Sequence, residues 1–317
     1  MKWDISSMPD LKGKIAVITG ANSGLGYQAS LAMARKGAMV VLAVRSIEKG
    51  RIAAEKITRE ASTNEVIVME LDLADLTSVK NFTRQYIEKF NKLDILINNA
   101  GVMALPLRRT AQGHEMHLGT NHLGHFVLTS ELIHILNKTP GARIINIGSV
   151  YKVTKVNFDD INSEKSYSKY RAYGQSKVAN ILFTIELDRR LKLANKTTAA
   201  IVVHPGWTAT NLRTQGPEME GSYFRQIRNK ITNKLFAKKV SEGVLPILFV
   251  ATSDDAVSGR FYGPEFPAEE KSDPSMVNPE DAARLWNVSE KLTGIEFLVN
   301  RVVSPEQADE KRKIISS

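Results

Sequence analysis

From position 14 onward, short apolar runs alternate with segments whose apolar residues recur at helical spacing. Residues 14–19 (KIAVIT) form an apolar run ending in glycine, the pattern of a parallel strand buried on both faces. Residues 27–36 have helical spacing and good helix formers, and stop at Gly37, a residue suited to closing a helix. The same reading predicts strands over 39–44, 66–71, 94–98, 143–147 and 198–203. It predicts helices over 47–61, 77–90, around 115–136 and over about 169–193. This strand–helix rhythm implies an α/β fold, a doubly wound parallel sheet with helices on both faces. No repeat, low-complexity tract or linker interrupts it, so one domain is expected. Its core spans about 11–294, with elaborations near 102–114, 150–170 and 206–240, and a tail over 295–317.

Composition narrows the class. The 317 residues are 43% hydrophobic and 24% charged, the balance of a globular protein. The formal charge of +9 comes from Lys and Arg spread along the whole chain, without a helix-turn-helix, zinc-finger or RNA-binding signature. No nucleic-acid partner is expected. The absence of cysteine excludes a disulfide framework, a thiolate metal site and a cysteine nucleophile, and it suits a reducing compartment. The start, 1–13, is polar, and stretches such as 39–44 and 244–251 are too short to span a bilayer. A soluble, cytoplasmic protein is the expectation.

Candidate chemistry begins directly after the first strand, at Thr19-Gly20-Ala21-Asn22-Ser23-Gly24-Leu25-Gly26. Glycines between a strand and a helix permit a tight turn and close backbone approach to a pyrophosphate. The following helix turns its unsatisfied N–H groups toward the phosphates. An NAD site usually places an acid about 20 residues beyond the glycines. This chain has Val44-Arg45-Ser46 there, and an arginine attracts a ribose 2′-phosphate, with Ser46 placed to add a hydrogen bond. NADP(H) is therefore expected over NAD(H). Asp72, in Leu71-Asp72-Leu73, is positioned for the adenine amino group, and Asn98-Asn99-Ala100-Gly101 offers small residues for ribose approach.

Tyr173-Gly174-Gln175-Ser176-Lys177 sets a phenol and an ammonium four residues apart, on one face of a helix. Reducing a carbonyl requires an acid for the developing alkoxide, and a nearby ammonium favours the phenolate of an otherwise weak acid. Ser149 follows the fifth strand, where strand ends line the ligand crevice, and is placed to hydrogen-bond a carbonyl. Asn121 sits inside a predicted helix against its propensity, a placement that a water-borne proton relay would explain.

With these residues assembled, the chain resembles the short-chain dehydrogenase/reductase family, in the form with a TGxxxGxG loop and a YxxxK pair. The likeness runs from about Leu11 to Gly294 and includes Pro205-Gly206-Trp207-Thr208-Ala209-Thr210. The resemblance implies a Rossmann fold and a tetrad of Asn121, Ser149, Tyr173 and Lys177 serving hydride transfer to or from a carbonyl or alcohol carbon. It places the cofactor on Gly20, Ser23, Gly24, Leu25, Gly26, Arg45, Asp72, Leu73, Asn99, Ala100, Gly101, Tyr173, Lys177, Pro205, Gly206, Thr208 and Thr210. Of these, Thr210 is assigned to the nicotinamide carboxamide. It also implies a homodimer or homotetramer joined partly through the helix that carries Tyr173. Stretches such as Ser163-Glu164-Lys165-Ser166-Tyr167 and 284–294 (RLWNVSEKLTG) are similar to retinol dehydrogenases and related bacterial oxidoreductases. Members of that subgroup act on retinoids and other lipophilic aldehydes or ketones, usually with NADP(H).

Three features stand apart from that reading. His114, His117, His122 and His125 lie close in sequence without the spacing or partners of a metal site, and no metal is expected. Residues 224–239 alternate apolar and basic positions without an acid. That pattern suits a lid over an oily substrate, a peripheral membrane contact or plain packing. A nucleotide-binding sensor or scaffold without turnover, and an NAD-preferring dehydrogenase, are the alternative readings of the whole.

Overall fold

Six apolar runs of four to six residues become parallel strands in the computed structural model, which describes residues 3–149, 153–206, 240–271 and 273–300. They are β1 (Ile15–Thr19), β2 (Met39–Val44), β3 (Val66–Glu70), β4 (Ile95–Asn98), β5 (Arg143–Ile147) and β6 (Ala199–Val203). A two-residue strand, β7 (Phe261–Tyr262), completes a seven-stranded sheet of order β3-β2-β1-β4-β5-β6-β7. β1 is central and pairs on both sides, Ala16 standing opposite Val40 of β2 and Ile95 of β4. The chain order reverses at this β1/β4 seam, and in open α/β sheets the crevice at such a point takes the ligand.

Consecutive strand residues face opposite helical layers, which explains why the strands are predominantly apolar. Ile18, Leu42 and Ile145 pack under α1 (Gly24–Arg35), α2 (Ile47–Ala61) and α6 (Leu245–Thr252). Val17, Val41, Leu96 and Ile144 pack under α3 (Leu76–Lys89), α4 (Gly124–Leu136) and α5 (Lys169–Leu193). α7 (Pro279–Thr293) lies over α4 and α5 and buries Trp286 against Phe126 and Phe183. Local chemistry sets the boundaries. The Ser46 and Asp75 side chains accept N–H groups of the first turns of α2 and α3, and Gly294 ends α7 at φ +66°.

The structure corrects the sequence reading in three places. The helix expected around 115–136 starts only at Gly124. Before it, Leu118–Leu123 forms a π turn, whose extra residue per turn swings Asn121 toward the sheet edge. Residues 295–300 are not tail, because Phe297 is 2% exposed and Val299 8%. At the other end, Met8 is buried, and Trp3 meets Phe249 and Phe266 edge-on. Along α5, positions 172–188 are buried within this one chain except for half-buried Ile185. Most of the expected lid, and the apolar–basic run 224–239 within it, lie outside the described residues. Among the described residues no helix is long and apolar enough to cross a membrane.

Candidate active site

The glycine loop is dictated by crowding at the seam. Gly20 and Gly24 have φ of +66° and +58°, the left-handed region that side chains avoid. A β-carbon at Gly26 would lie 2.7 Å from the Gly20 carbonyl oxygen and from Asn99 Nδ2, and one at Gly20 would lie 3.0 Å from Ala100 Cα. The loop, α1 and the segment after β4 thus touch backbone to backbone. Ser23, which precedes α1, makes no side-chain capping bond, so the first N–H groups of the helix stay available to an anion. Leu25 is half-buried and packs against the core beneath this loop.

Thr19 joins the parts. Its hydroxyl accepts the N–H groups of Asn99 and Ala100, both at 2.9 Å, and Asn99 Nδ2 donates to the Thr19 carbonyl at 2.8 Å. Burial pulls His125 down to about 3, so its ring is neutral. Nδ1 donates to the Asn121 carbonyl at 3.0 Å, leaving Nε2 to accept from the Thr19 hydroxyl at 2.9 Å. This buried chain runs from the glycine loop to the π turn. Neither the role of His125 nor that of Thr19 was visible from residue type.

Around the cradle, the other expected cofactor residues divide. Arg45 is exposed at the end of β2 and has no carboxylate partner among the described residues. The Ser46 hydroxyl oxygen accepts the Lys49 N–H as the cap of α2. Asp72 is half-buried, and its Oδ1 accepts the Ala74 N–H in the turn after β3. Leu73 is 5% exposed with its side chain in the core, which leaves its main chain alone to face a ligand. Gly206, at φ +71°, donates its N–H to His204 Nδ1 beside half-buried Pro205. Thr208 and Thr210 lie outside the described residues.

Of the four expected catalytic residues, Tyr173 and Lys177 lie on α5, Asn121 in the π turn and Ser149 just past β5, and Asn121 and Lys177 meet across Gly101. Lys177 is 3% exposed, and its Nζ donates to the Ile147 carbonyl at 3.1 Å. Burial alone pushes this ammonium down to about 8. Tyr173, one turn earlier on α5, is 7% exposed and packs with Met103 and Ala104. Ser149 is half-buried just past β5. A β-carbon at Gly101 would lie 3.1 Å from Asn121 Oδ1 and 3.6 Å from Lys177 Nζ, so the bare glycine backbone separates those two polar groups. The Asn121 amide is fully engaged: Oδ1 accepts the Val102 N–H at 2.7 Å, and Nδ2 donates to the Val102 carbonyl and to Ser176 Oγ. The Asn121 side chain thus acts as a clip that holds the segment after β4. Its main-chain carbonyl accepts the His125 Nδ1–H. An enclosed phenol and ammonium beside a backbone cradle for pyrophosphate can hold and move a proton next to a bound dinucleotide.

Known proteins carry the same features. The signature of the family described as short chain dehydrogenase matches residues 14–221. Human retinol dehydrogenase 14 is 38% identical over 301 residues, covering 90% of this chain and 88% of its own length. Human retinol dehydrogenase 12 is 39% identical over 290 residues, with the same coverage of each chain. Among solved structures, an uncharacterised protein from Mycobacterium paratuberculosis superposes with a TM-score of 0.76 at 35% identity, covering 94% of this chain and all (100%) of that one. A short chain dehydrogenase from Pseudomonas syringae shares the fold at a TM-score of 0.65 and 22% identity, over 84% of this chain and 100% of its own. This chain belongs to the short-chain dehydrogenase/reductase family of oxidoreductases and is retinol-dehydrogenase-like within it.

Proposed function

We propose that the protein is an NADP(H)-dependent oxidoreductase acting on the carbonyl or alcohol carbon of a lipophilic small molecule, with Tyr173 as its general acid and base. The observation that carries this reading is the buried Lys177 ammonium one helical turn after Tyr173, separated from Asn121 only by the Gly101 backbone. Bound NADP(H) supplies or accepts the hydride. Gly20, Gly24 and Gly26 admit its pyrophosphate to the first turn of α1, and Arg45 faces its 2′-phosphate. Ser149 and Tyr173 hold the substrate oxygen, and Tyr173 delivers the proton to the alkoxide. Lys177, charged and enclosed, favours the phenolate that remains. The apolar Met103 and Ala104 beside the Tyr173 ring, together with relatives named retinol dehydrogenases, support an oily substrate.

The test is NADPH oxidation across aldehydes, ketones, quinones and retinoids. Tyr173→Phe is expected to lower kcat by about 10²–10⁴ while leaving NADPH bound, the usual share of a general acid. Near-normal turnover in that variant would sink the assignment. Tight nucleotide binding without turnover on the whole panel would favour a sensor instead. Arg45→Ala is expected to weaken NADPH far more than NADH, and equal losses would show that Arg45 does not read the 2′-phosphate.

A further inference from the structure

Glu115 and His117 are both buried, at 1% and 0% exposure, just before the π turn, and the roles assigned so far use neither. Their geometry is specific. Leu105 donates its N–H to His117 Nε2 at 3.3 Å, so Nδ1 carries the ring proton and donates to Glu115 Oε1 at 2.7 Å. Glu115 Oε2 accepts the Leu118 N–H at 2.8 Å, and the Glu115 N–H donates to Asn162 Oδ1 at 2.7 Å. The carboxylate is thereby locked, and with it the tautomer and tilt of the imidazole. The ring then does two things. Its Nε2 face grips Leu105, and it meets the Tyr173 ring edge-on, with centroids 6.3 Å apart and planes at 75°.

Leu105 is held from its other side as well. Its carbonyl accepts the Tyr167 hydroxyl at 2.7 Å, from the segment that precedes α5. Between these two grips and Gly101 lie Met103 and Ala104, the apolar pair packed on Tyr173. Ala104 has φ of +56°, a backbone state that a residue with a side chain adopts only when its surroundings impose it. The wall beside the phenol is therefore held in an unrelaxed shape by His117 and Tyr167.

We infer that His117, oriented by Glu115, is a positioning residue that fixes the Met103-Ala104-Leu105 wall against the Tyr173 ring. It thereby sets which substrate shapes reach the phenol hydroxyl. This inference rests on the role given to Tyr173 above. The wall is apolar and rigid, so it suits a flat or extended hydrocarbon body next to the reacting carbonyl. Loosening it should admit bulkier or more branched carbonyls at the expense of the best substrate.

Two substitutions separate the grips. In His117→Gln the amide oxygen takes the place of Nε2 and still accepts from Leu105. In His117→Asn the amide nitrogen takes the place of Nδ1 and still reaches Glu115, but the Leu105 bond is lost. His117→Asn is expected to lower kcat/KM for the best flat carbonyl about ten- to a hundredfold, the scale of a small misplacement at a reacting centre. Branched carbonyls should lose much less, the Kd for NADPH should stay within about twofold, and His117→Gln should recover most of the loss. Hydrogen exchange at the Leu105 amide, which needs no turnover, should quicken in His117→Asn and remain slow in His117→Gln. Losses equal for all carbonyls, losses that track NADPH affinity, or a Leu105 amide unchanged in His117→Asn would each overturn the positioning role alone. A wild-type chain that oxidises no NADPH with any carbonyl would fail the functional reading, and this inference would fall with it.

Discussion

At the scale of single residues, Lys177 shows how the site trades stability for chemistry. Its ammonium is enclosed with one carbonyl partner, and burial lowers it to about 8 from the ordinary lysine range. Below about pH 8 the folded and unfolded chains both hold the proton, so the full cost of burying the charge weighs on the fold. As the pH rises from there toward the ordinary lysine value, the folded chain gives up the proton first and the cost fades. Lys177→Met, of similar length and uncharged, is therefore expected to raise the unfolding free energy at pH 7 by about 1–3 kcal/mol. That gain should shrink toward pH 10, and turnover should be lost throughout. Thermal melts at both pH values check the sign, and a variant no more stable than wild type at pH 7 would show that burial does not strain this lysine.

At the scale of elements, the junction of β1 with α1 decides whether a cradle forms at all. Gly26→Ala would place a methyl 2.7 Å from the Gly20 carbonyl oxygen, a contact that only backbone movement can relieve. Overpacking of this kind costs about 1–3 kcal/mol. It is expected to lower the melting temperature and to weaken NADPH, both measurable by a melt with and without nucleotide. An unchanged nucleotide affinity would mean that the loop does not hold the phosphates. This junction was legible in the sequence because an apolar run, glycines and a helical pattern follow one another without a gap. β1 to β6 were legible for the same reason, each being a mainly apolar run bounded by polar or turn-forming residues. β7 was not, since two residues cannot show a period. The π turn was hidden because one extra residue in a single turn barely disturbs the apolar spacing that carried the helix reading around 115–136. Asn121 drew attention as a poor helix former, yet its bonds to Val102 and Ser176 depend on chain segments that no local pattern brings together. The Glu115–His117 pair was lost for a similar reason. Four neighbouring histidines prompt a metal question, and only the fold shows one of them gripping Leu105.

At the scale of the whole molecule, α7 is the cover over α4 and α5. Trp286 is 1% exposed, stacks on Phe183, meets Phe126 edge-on, and lies under the Arg190 guanidinium at 4.3 Å. It covers the faces of α4 and α5 that would otherwise be oily. Trp286→Ala is expected to cost about 3–5 kcal/mol. It should also uncover that surface, giving concentration-dependent self-association by light scattering while circular dichroism remains folded. A mass identical to wild type at every concentration would show that α5 stays covered without the indole.

The β1/β4 seam also fixes when the site comes into being. The glycine loop is complete once the growing chain has passed about position 30. Its staple, from Asn99 Nδ2 to the Thr19 carbonyl, waits for a partner 80 positions later, and the Thr19–His125 bond spans 106. A nascent chain ending near position 90 thus carries the phosphate signature without the means to hold its shape. Nucleotide can reward only the nearly finished fold, so it acts late, as a selector of completed molecules rather than as a template for their assembly.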